Sequence, residues 1–176
     1  MNIIYDARHI ENIYSGLGRY SASLLVALTE ESHLYKDLII LLRSKVDYSK
    51  NDHFKNLSNL KGNNISIRYV NSPLYKFRHH LQTSLFVNNY PDYTYFYPHF
   101  DIPLFTKVAS IFVIHDLKTL KLNGIIRKYE YLKKTYFFQM IKRNLESPKT
   151  TCVAVSYSTK KDILSIFGGN YDRKIR

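Results

Sequence analysis

Short apolar runs alternate with stretches of helical periodicity along this chain, and this alternation limits the fold more than any other feature. The apolar runs predict strands at Asn2–Asp6, Leu38–Leu42, Ile65–Val70, Val108–Ile114 and Thr151–Val155. The helical spacing predicts helices at Gly18–Glu30, Leu74–Asn88, Ile125–Ile141 and Ser158–Phe167. Strands and helices that alternate at this spacing form right-handed βαβ units. The sequence therefore predicts a single three-layer α/β domain with a mainly parallel sheet, spanning residues 1–176.

Two of the predicted helices carry further local signals. Phe77, Leu81 and Leu85 recur at helical spacing after a proline, so they share one face of their helix. Gly168-Gly169 directly follows the last helix, which is typical of a glycine C-cap. Pro91, Pro98 and Pro103 interrupt the aromatic stretch 92–105, which is too rich in proline to be one continuous element.

Composition excludes several classes of protein. The 176 residues are 45% hydrophobic and 15% aromatic, which is incompatible with a disordered chain. The single Cys152 cannot form an internal disulfide, and no Cys/His cluster has zinc spacing, so no metal is expected. The chain has no apolar run of about 18 residues and no recognisable signal segment. These features favour a cytoplasmic protein.

The charge of the chain is strongly asymmetric. Its formal net charge is +12, of which residues 1–116 contribute +2 and residues 117–176 contribute +10. Such an excess favours a polyanionic partner, either nucleic acid or an anionic membrane surface. The predicted helix 125–141 and the two residues after it concentrate this positive charge. The basic pairs, Arg127-Lys128, Lys133-Lys134 and Lys142-Arg143, lie beside Tyr129, Leu132, Tyr136 and Met140. This pattern fits a membrane surface, nucleic acid, or simply a solvated face opposite an apolar stripe.

Candidate ligand-binding residues follow from the predicted strand ends. In open α/β sheets, ligands bind beyond the carboxyl ends of the strands, where helix N-termini also point. The residues at those ends are Asp6 with the loop to Tyr20, the segment Tyr97-Pro98-His99, the pair His115-Asp116, and Ser156. We therefore expect Gly16, Gly18 and His115 to border one crevice.

The loop before the first helix contains the sequence Gly16-Leu17-Gly18-Arg19-Tyr20-Ser21. It resembles a dinucleotide-binding fingerprint, but nine residues separate the strand from the first glycine, and Arg43 stands where an acidic residue should close the second strand. Nicotinamide or flavin binding is therefore disfavoured. Two interpretations remain, a backbone that approaches a phosphate or sugar closely and a flexible connector.

His115-Asp116 ends the clearest predicted strand. The pair could act as a general base with an orienting carboxylate, or it could bind sugar hydroxyls. Alternatively, the histidine merely ends the strand with a satisfied hydrogen bond. Adjacent residues of an extended strand point to opposite faces, so the two side chains are expected to have distinct roles.

Taken together, these residues resemble the N-terminal domain of the retaining group 1 (family 4) glycosyltransferases, which have a two-domain B-type fold. The matching segments, in order, are Asp6-Ala7-Arg8, Ser15-Gly16-Leu17-Gly18-Arg19-Tyr20, Tyr97-Pro98-His99 with Pro103, Val113-Ile114-His115-Asp116-Leu117, and Val155-Ser156-Tyr157-Ser158 with Asp162-Ile163-Leu164. The resemblance covers nearly the whole chain and implies a Rossmann-like domain.

The resemblance also implies roles for particular residues. His115, as the catalytic residue, would lie near the transferred sugar, and Gly16, Gly18 and Arg19 would line the donor-phosphate side. Tyr20, His99, Asp116 and Ser156 would complete the substrate-binding set. The nucleotide sugar would be a substrate, and no cofactor is implied. A family chain crosses to its donor-binding C-terminal domain at about residues 172–176, so the present chain is expected to be an incomplete catalyst by itself.

Three hypotheses of function follow. The first is the acceptor-binding part of a glycosyltransferase of polysaccharide synthesis, acting on a glycan or lipid-linked acceptor, with a C-terminal domain supplied in trans and peripheral attachment to the inner face of the cytoplasmic membrane as an option. The second is a non-catalytic module that binds glycan or anionic lipid. The third is a nucleic-acid-binding protein, which no recognised motif supports.

Overall fold

Five of the strands and four of the helices lie close to where the apolar patterns predict them, whereas the strand Tyr93–Tyr97 and the short helix Lys118–Lys121 were not among the predicted elements. The computed structural model describes residues 1–12, 14–43, 64–74, 76–121 and 128–176. Its strands are β1 (Asn2–Asp6), β2 (Asp37–Leu42), β3 (Ile65–Tyr69), β4 (Tyr93–Tyr97), β5 (Ser110–Ile114) and β6 (Thr150–Ala154). Its helices are α1 (Gly16–Glu30), α2 (Phe77–Asn88), α3 (Lys118–Lys121), α4 (Lys128–Glu146) and α5 (Tyr157–Phe167).

The six strands form one sheet in the order β3-β2-β1-β4-β5-β6. Pairing is parallel between β1 and β2, β1 and β4, β2 and β3, and β5 and β6. This is the order of a doubly wound, Rossmann-like sheet, in which the strand sequence reverses direction between β1 and β4. The predicted α/β class with a parallel sheet is confirmed.

The chain divides into two compact units. The first unit comprises residues 1–98 and 103–109, and the second comprises residues 99–102 and 110–176. In the first unit, β1 and β2 are apolar on both faces because the sheet is covered on both sides. Leu38–Leu42 is fully buried, as its continuous apolar run predicts.

In the second unit, α4 extends five residues beyond the predicted end at Ile141. Leu145 is buried, and the Lys174 ammonium donates a hydrogen bond of 2.7 Å to the Leu145 carbonyl, which satisfies an otherwise orphaned group at the helix end. The predicted start at Ile125 lies outside the described residues. Helix α5 ends as predicted, because Gly168 adopts φ 110° and its N–H binds the Leu164 carbonyl at 3.0 Å.

Helix α2 differs from the usual arrangement of a surface helix. Phe77, Leu81 and Leu85 share one face, as predicted, but that face is exposed. The buried residues of α2 are mainly polar: His79, His80, Thr83, Ser84 and Val87. Helix α2 therefore packs inward through hydrogen-bonding groups and leaves its apolar side chains outside. Within the described parts of the chain, no helix has the length and hydropathy needed to cross a bilayer.

Candidate functional site

A buried ion pair closes the carboxyl end of β1. Asp6 is the last residue of the strand, and Arg8 opens the 3₁₀ segment Arg8–Asn12. The Arg8 guanidinium binds the carboxylate side-on through one edge, donating from Nε to Oδ1 at 2.8 Å and from Nη2 to Oδ2 at 2.5 Å. Both side chains are completely buried. This two-pronged geometry fixes the direction in which the chain leaves the sheet.

Arg8 also binds two other segments of the first unit, one at Ser72 and the other in helix α2. Its Nη1 donates to the Ser72 hydroxyl at 2.9 Å, and its Nη2 donates to the Thr83 hydroxyl at 3.0 Å and lies 3.2 Å from His79 Nδ1. The Tyr95 hydroxyl donates to Asp6 Oδ2 at 2.6 Å. The polar inner face of α2 is thus explained, because it supplies partners for a buried cation.

Both members of the pair are ionised at neutral pH. Burial alone would raise the pKa of Asp6, but the charge of Arg8 and the hydrogen bonds from Arg8 and Tyr95 outweigh it and bring the pKa to about 2. Burial would likewise lower the pKa of Arg8, yet Asp6 reverses that effect and raises it. With its donors engaged by protein groups, Arg8 serves to position the backbone.

The connection from β1 to α1 is a folded segment. The 3₁₀ segment buries Arg8, His9 and Ile10, and Glu11 forms an ion pair of 2.7 Å with Arg43. Arg43, whose position counted against a dinucleotide site, therefore holds this segment against the end of β2. Burial raises the pKa of Glu11, and Arg43 opposes that shift.

Helix α1 begins at Gly16, two residues before the predicted start. Ser15 is its N-cap, and the Ser15 hydroxyl accepts a hydrogen bond of 2.9 Å from the Gly18 N–H. Gly18 is buried, whereas Gly16 and Arg19 are exposed. A Cβ added to Gly16 would meet no atom within 4 Å. The amides of residues 16 and 17 and the Arg19 side chain are thus the groups at this helix end that could meet a ligand, since the cap engages the Gly18 N–H.

Tyr20 and Tyr97 complete the predicted residues of the first unit. Tyr20 is half-buried, and burial raises its pKa. Tyr97 is completely buried at the end of β4, and its hydroxyl lies 3.1 Å from His9 Nε2. Tyr97 therefore belongs to the buried polar cluster at the point between β1 and β4 where the strand order reverses.

In the second unit, His99 forms a hydrogen bond with Asp101 that the sequence did not reveal. His99 Nδ1 lies 2.5 Å from Asp101 Oδ1, and the Asp101 side chain is completely buried while 17% of the His99 side chain is exposed. A buried carboxylate on one ring nitrogen fixes the orientation and tautomer of the imidazole. His99 therefore has an orienting carboxylate, which one interpretation of the sequence gave to His115.

Helix α4 holds the His99–Asp101 segment in place. The Asn144 side-chain amide donates to the Phe100 carbonyl at 2.6 Å, and Arg143 Nη1 donates to the Ile102 carbonyl at 3.3 Å. Phe100 also packs on Phe137, with ring centroids 4.2 Å apart. The pKa of Tyr136 is raised by burial first and then by the negative charge of Asp101. The pair is thus built into a rigid element.

The other predicted residues of the second unit have local structural roles. The exposed Asp116 accepts a hydrogen bond of 3.0 Å from the Lys118 N–H and so caps the short helix α3. The Ser156 hydroxyl is the N-cap of α5 and accepts from the Thr159 N–H at 3.1 Å. His115 is partly exposed, and its carbonyl accepts from the Thr159 hydroxyl at 3.2 Å.

The predicted site residues therefore lie in both units. Gly16, Gly18, Arg19 and Tyr20 belong to the first, and His99, His115, Asp116 and Ser156 belong to the second. The expectation that Gly16, Gly18 and His115 border one crevice stays a prediction.

Asp101 was not singled out from the sequence, although its position two residues after His99 is a usable signal. Within the described ranges, no three His, Cys, Asp or Glu side chains are grouped as metal ligands would be.

The basic helix α4 has an exposed aromatic surface that differs in part from the sequence pattern. Tyr131 and Leu132 are exposed, but Met140 is buried and belongs to the core. Arg127 and the side chains of residues 128–130 lie outside the description. A mainly apolar groove of about 370 Å³ runs beside α4 and is lined by Leu120, Tyr131, Lys134, Thr135, Phe138 and Ile166.

Comparison of the chain with protein-family models, with curated proteins and with solved structures gives no significant match.

Proposed function

We propose that this chain is the acceptor-side part of a retaining glycosyltransferase, which moves a sugar from a nucleotide-sugar donor to a glycan or lipid-linked acceptor in polysaccharide synthesis. The observation that carries the proposal is the partly exposed His99, held at 2.5 Å by the buried carboxylate of Asp101. The proposal further rests on the resemblance of the segments around Gly16, His115 and Ser156 to that enzyme family.

Sugar hydroxyls are both donors and acceptors, so they are recognised by polar groups of fixed orientation. Asp101 accepts a hydrogen bond from Nδ1 and so orients the imidazole, and the exposed part of the ring can exchange hydrogen bonds with a hydroxyl. Asn144 and Arg143 hold the backbone of this segment, so the imidazole is presented with little loss of conformational freedom. An acceptor hydroxyl is the ligand that suits this arrangement.

The N-terminus of α1 suits the diphosphate of the donor. The helix dipole places partial positive charge at Gly16, and Arg19 adds a full charge at the same helix end. Because the Gly18 N–H already binds Ser15, this end supplies only a few donors. We therefore propose that most of the grip on the nucleotide comes from a further, donor-binding domain.

The proposed reaction develops negative charge on the departing diphosphate. Cations and backbone donors in a closed cleft stabilise such charge, and the reaction calls for no resident cofactor. The chain by itself is therefore proposed to bind acceptor glycans measurably, to bind nucleotide sugars weakly, and to turn over none of them.

Saturation-transfer NMR with a panel of oligosaccharides, together with mass spectrometry of incubated UDP- and GDP-sugars, tests this proposal. We expect saturation of sugar protons with the native chain, its loss in His99→Ala, and its retention in the matched control His33→Ala. His33 is an exposed histidine paired with Glu31. Failure of every glycan to receive saturation, or turnover of a nucleotide sugar by this chain alone, would contradict the proposal.

Non-catalytic glycan binding is the second candidate, favoured by the groove beside α4. Tyr131 and Phe138 offer ring surfaces, and Thr135 and Lys134 offer polar groups, as in many small-ligand sites. Under this alternative, Tyr131→Ala abolishes the glycan signal while His99→Ala leaves it intact. The same NMR experiment therefore separates the two candidates.

A further inference from the structure

An apolar surface lies on the outer face of α2 in the first unit. Four large side chains form it and are exposed to extents of 67% for Phe77, 44% for Leu81, 62% for Leu85 and 47% for Phe105. We call these four residues the α2 face. The rings of Phe77 and Phe105 meet edge to face at 6.4 Å, so the surface continues from the helix to the segment after β4.

The α2 face is held rigidly. Asn88 anchors the neighbouring segment twice, because its amide donates to the Phe105 carbonyl at 2.9 Å and its carbonyl oxygen accepts from the Lys107 N–H at 2.8 Å. On the opposite side of the helix, His79 and Thr83 contact the buried Arg8. Rotation of α2 to bury its apolar side chains would break those contacts, so the exposure is built into the fold.

Cations border the α2 face. Lys76, Arg78 and Lys107 are exposed beside it, and helix α2 itself carries no acidic residue. Large apolar side chains flanked by lysine and arginine are typical of surfaces that rest on an anionic bilayer, where the apolar groups enter the acyl region and the cations meet the headgroups.

A second copy of the chain fits the α2 face less well. Four such side chains offer on the order of 400 Å², well below the roughly 800 Å² per partner of a stable interface. A two-fold pairing of the same face would also bring the cations of both copies together, in a chain of net charge +12.

We propose that the α2 face docks the chain on an anionic lipid bilayer. This inference does not rest on the proposed glycosyltransferase activity. Phe77, Leu81, Leu85 and Phe105 insert at the level of the headgroups and upper acyl chains, and Lys76 and Arg78 contact lipid phosphates. It also concerns a different surface from the basic helix now defined as α4, for which a membrane surface was one of three interpretations of the sequence.

Co-sedimentation of the full chain with lipid vesicles tests the proposal. Vesicles of phosphatidylcholine mixed with phosphatidylglycerol should retain the chain at least about tenfold better than phosphatidylcholine alone, and salt should release it. Leu81→Gln with Leu85→Gln should lower the partition coefficient on the order of a hundredfold, and Lys76→Gln with Arg78→Gln about twentyfold.

The matched control is Tyr131→Gln with Leu132→Gln, which changes two equally exposed apolar residues of α4. Circular dichroism should show that all variants remain folded. Equal retention of the chain on vesicles with and without phosphatidylglycerol overturns the proposal. So does a loss of binding in the α4 variant but not in the α2 variant. Self-association that Leu81→Gln with Leu85→Gln abolishes, without lipid-dependent retention, assigns the face to a second copy and also overturns it.

Discussion

Two carboxylates, one in each unit, are paired at the same distance with basic side chains, yet their surroundings differ. Asp6 lies 2.5 Å from Arg8 and Asp101 lies 2.5 Å from His99, and both carboxylates are completely buried. Arg8 is also completely buried, whereas 17% of the His99 side chain is exposed. The first pair is closed on both sides, and the second presents its basic member to solvent.

The difference separates a pair that holds the fold from a pair that can meet a ligand. Arg8 donates hydrogen bonds to Asp6, Ser72 and Thr83, so a ligand of Arg8 would have to displace these protein contacts. A guanidinium also has only hydrogen-bond donors, whereas an imidazole can both donate and accept hydrogen bonds. Loss of the carboxylate should therefore be far more harmful in the first unit than in the second.

The largest expected effect is that of Asp6→Asn. This change leaves the Arg8 charge buried without its counter-ion, and removal of one partner from such a pair costs about 3–5 kcal/mol of unfolding free energy. Asp101→Asn should cost only about 1 kcal/mol, because the His99 imidazole can keep a hydrogen bond to the amide. Urea unfolding of both variants measures the difference, and equal losses would remove the distinction between the pairs.

The pH dependence of stability sharpens the same comparison. The pKa of Asp6 is about 2 in the folded chain, against about 3.9 when unfolded. Its contribution is therefore complete above pH ~5 and is lost progressively as the pH falls from about 5 to about 1, roughly 2.6 kcal/mol in all. Urea unfolding along this range, with a ¹³C NMR titration of the Asp6 carboxyl, checks it. A carboxyl that titrates near 4 in the folded chain would contradict it.

Strand and helix positions were predictable because they depend on local apolar periodicity. The strand Asn2–Asp6 is found as predicted, and β5 and β6 differ from prediction by one or two residues at their ends. The orientation of α2 was not predictable. Phe77, Leu81 and Leu85 define an apolar face in the sequence, but the partner that draws the polar face inward is Arg8, about 70 positions earlier in the chain.

The candidate site was predictable only where a residue follows a strand end. His99 was selected as a polar residue after β4, but its partner Asp101 reaches it through a turn that α4 stabilises from a distant position. Likewise, one interpretation of the sequence made Asp116 the carboxylate that orients His115, whereas Asp116 caps α3. Capping and ligand binding use the same residue types, so sequence alone could not separate them.

Ser156→Ala tests that separation in the second unit, with an intermediate effect. Ser156 caps α5 through the Thr159 N–H, so its loss should lower the unfolding free energy by about 1 kcal/mol. Ser158→Ala, an exposed position in the first turn of the same helix, is the control and should change stability by less than about 0.5 kcal/mol. If Ser156→Ala instead leaves stability unchanged but abolishes the saturation of sugar protons, Ser156 contacts the ligand and its capping role is secondary.

The smallest effect on stability is expected for Gly16→Ala. No protein atom lies within 4 Å of the added Cβ, and Gly16 has an ordinary helical backbone at the start of α1. Alanine is the better helix former, so the unfolding free energy should stay equal or rise by up to about 1 kcal/mol.

If the N-terminus of α1 meets a diphosphate, the methyl group of Gly16→Ala occupies the space through which the phosphate approaches the backbone. Weak binding of UDP, measured by saturation-transfer NMR, should then disappear in Gly16→Ala, and Arg19→Gln should weaken it without changing stability. Unchanged UDP binding in both variants would mean that the N-terminus of α1, like the Asp6–Arg8 pair, has only a structural role.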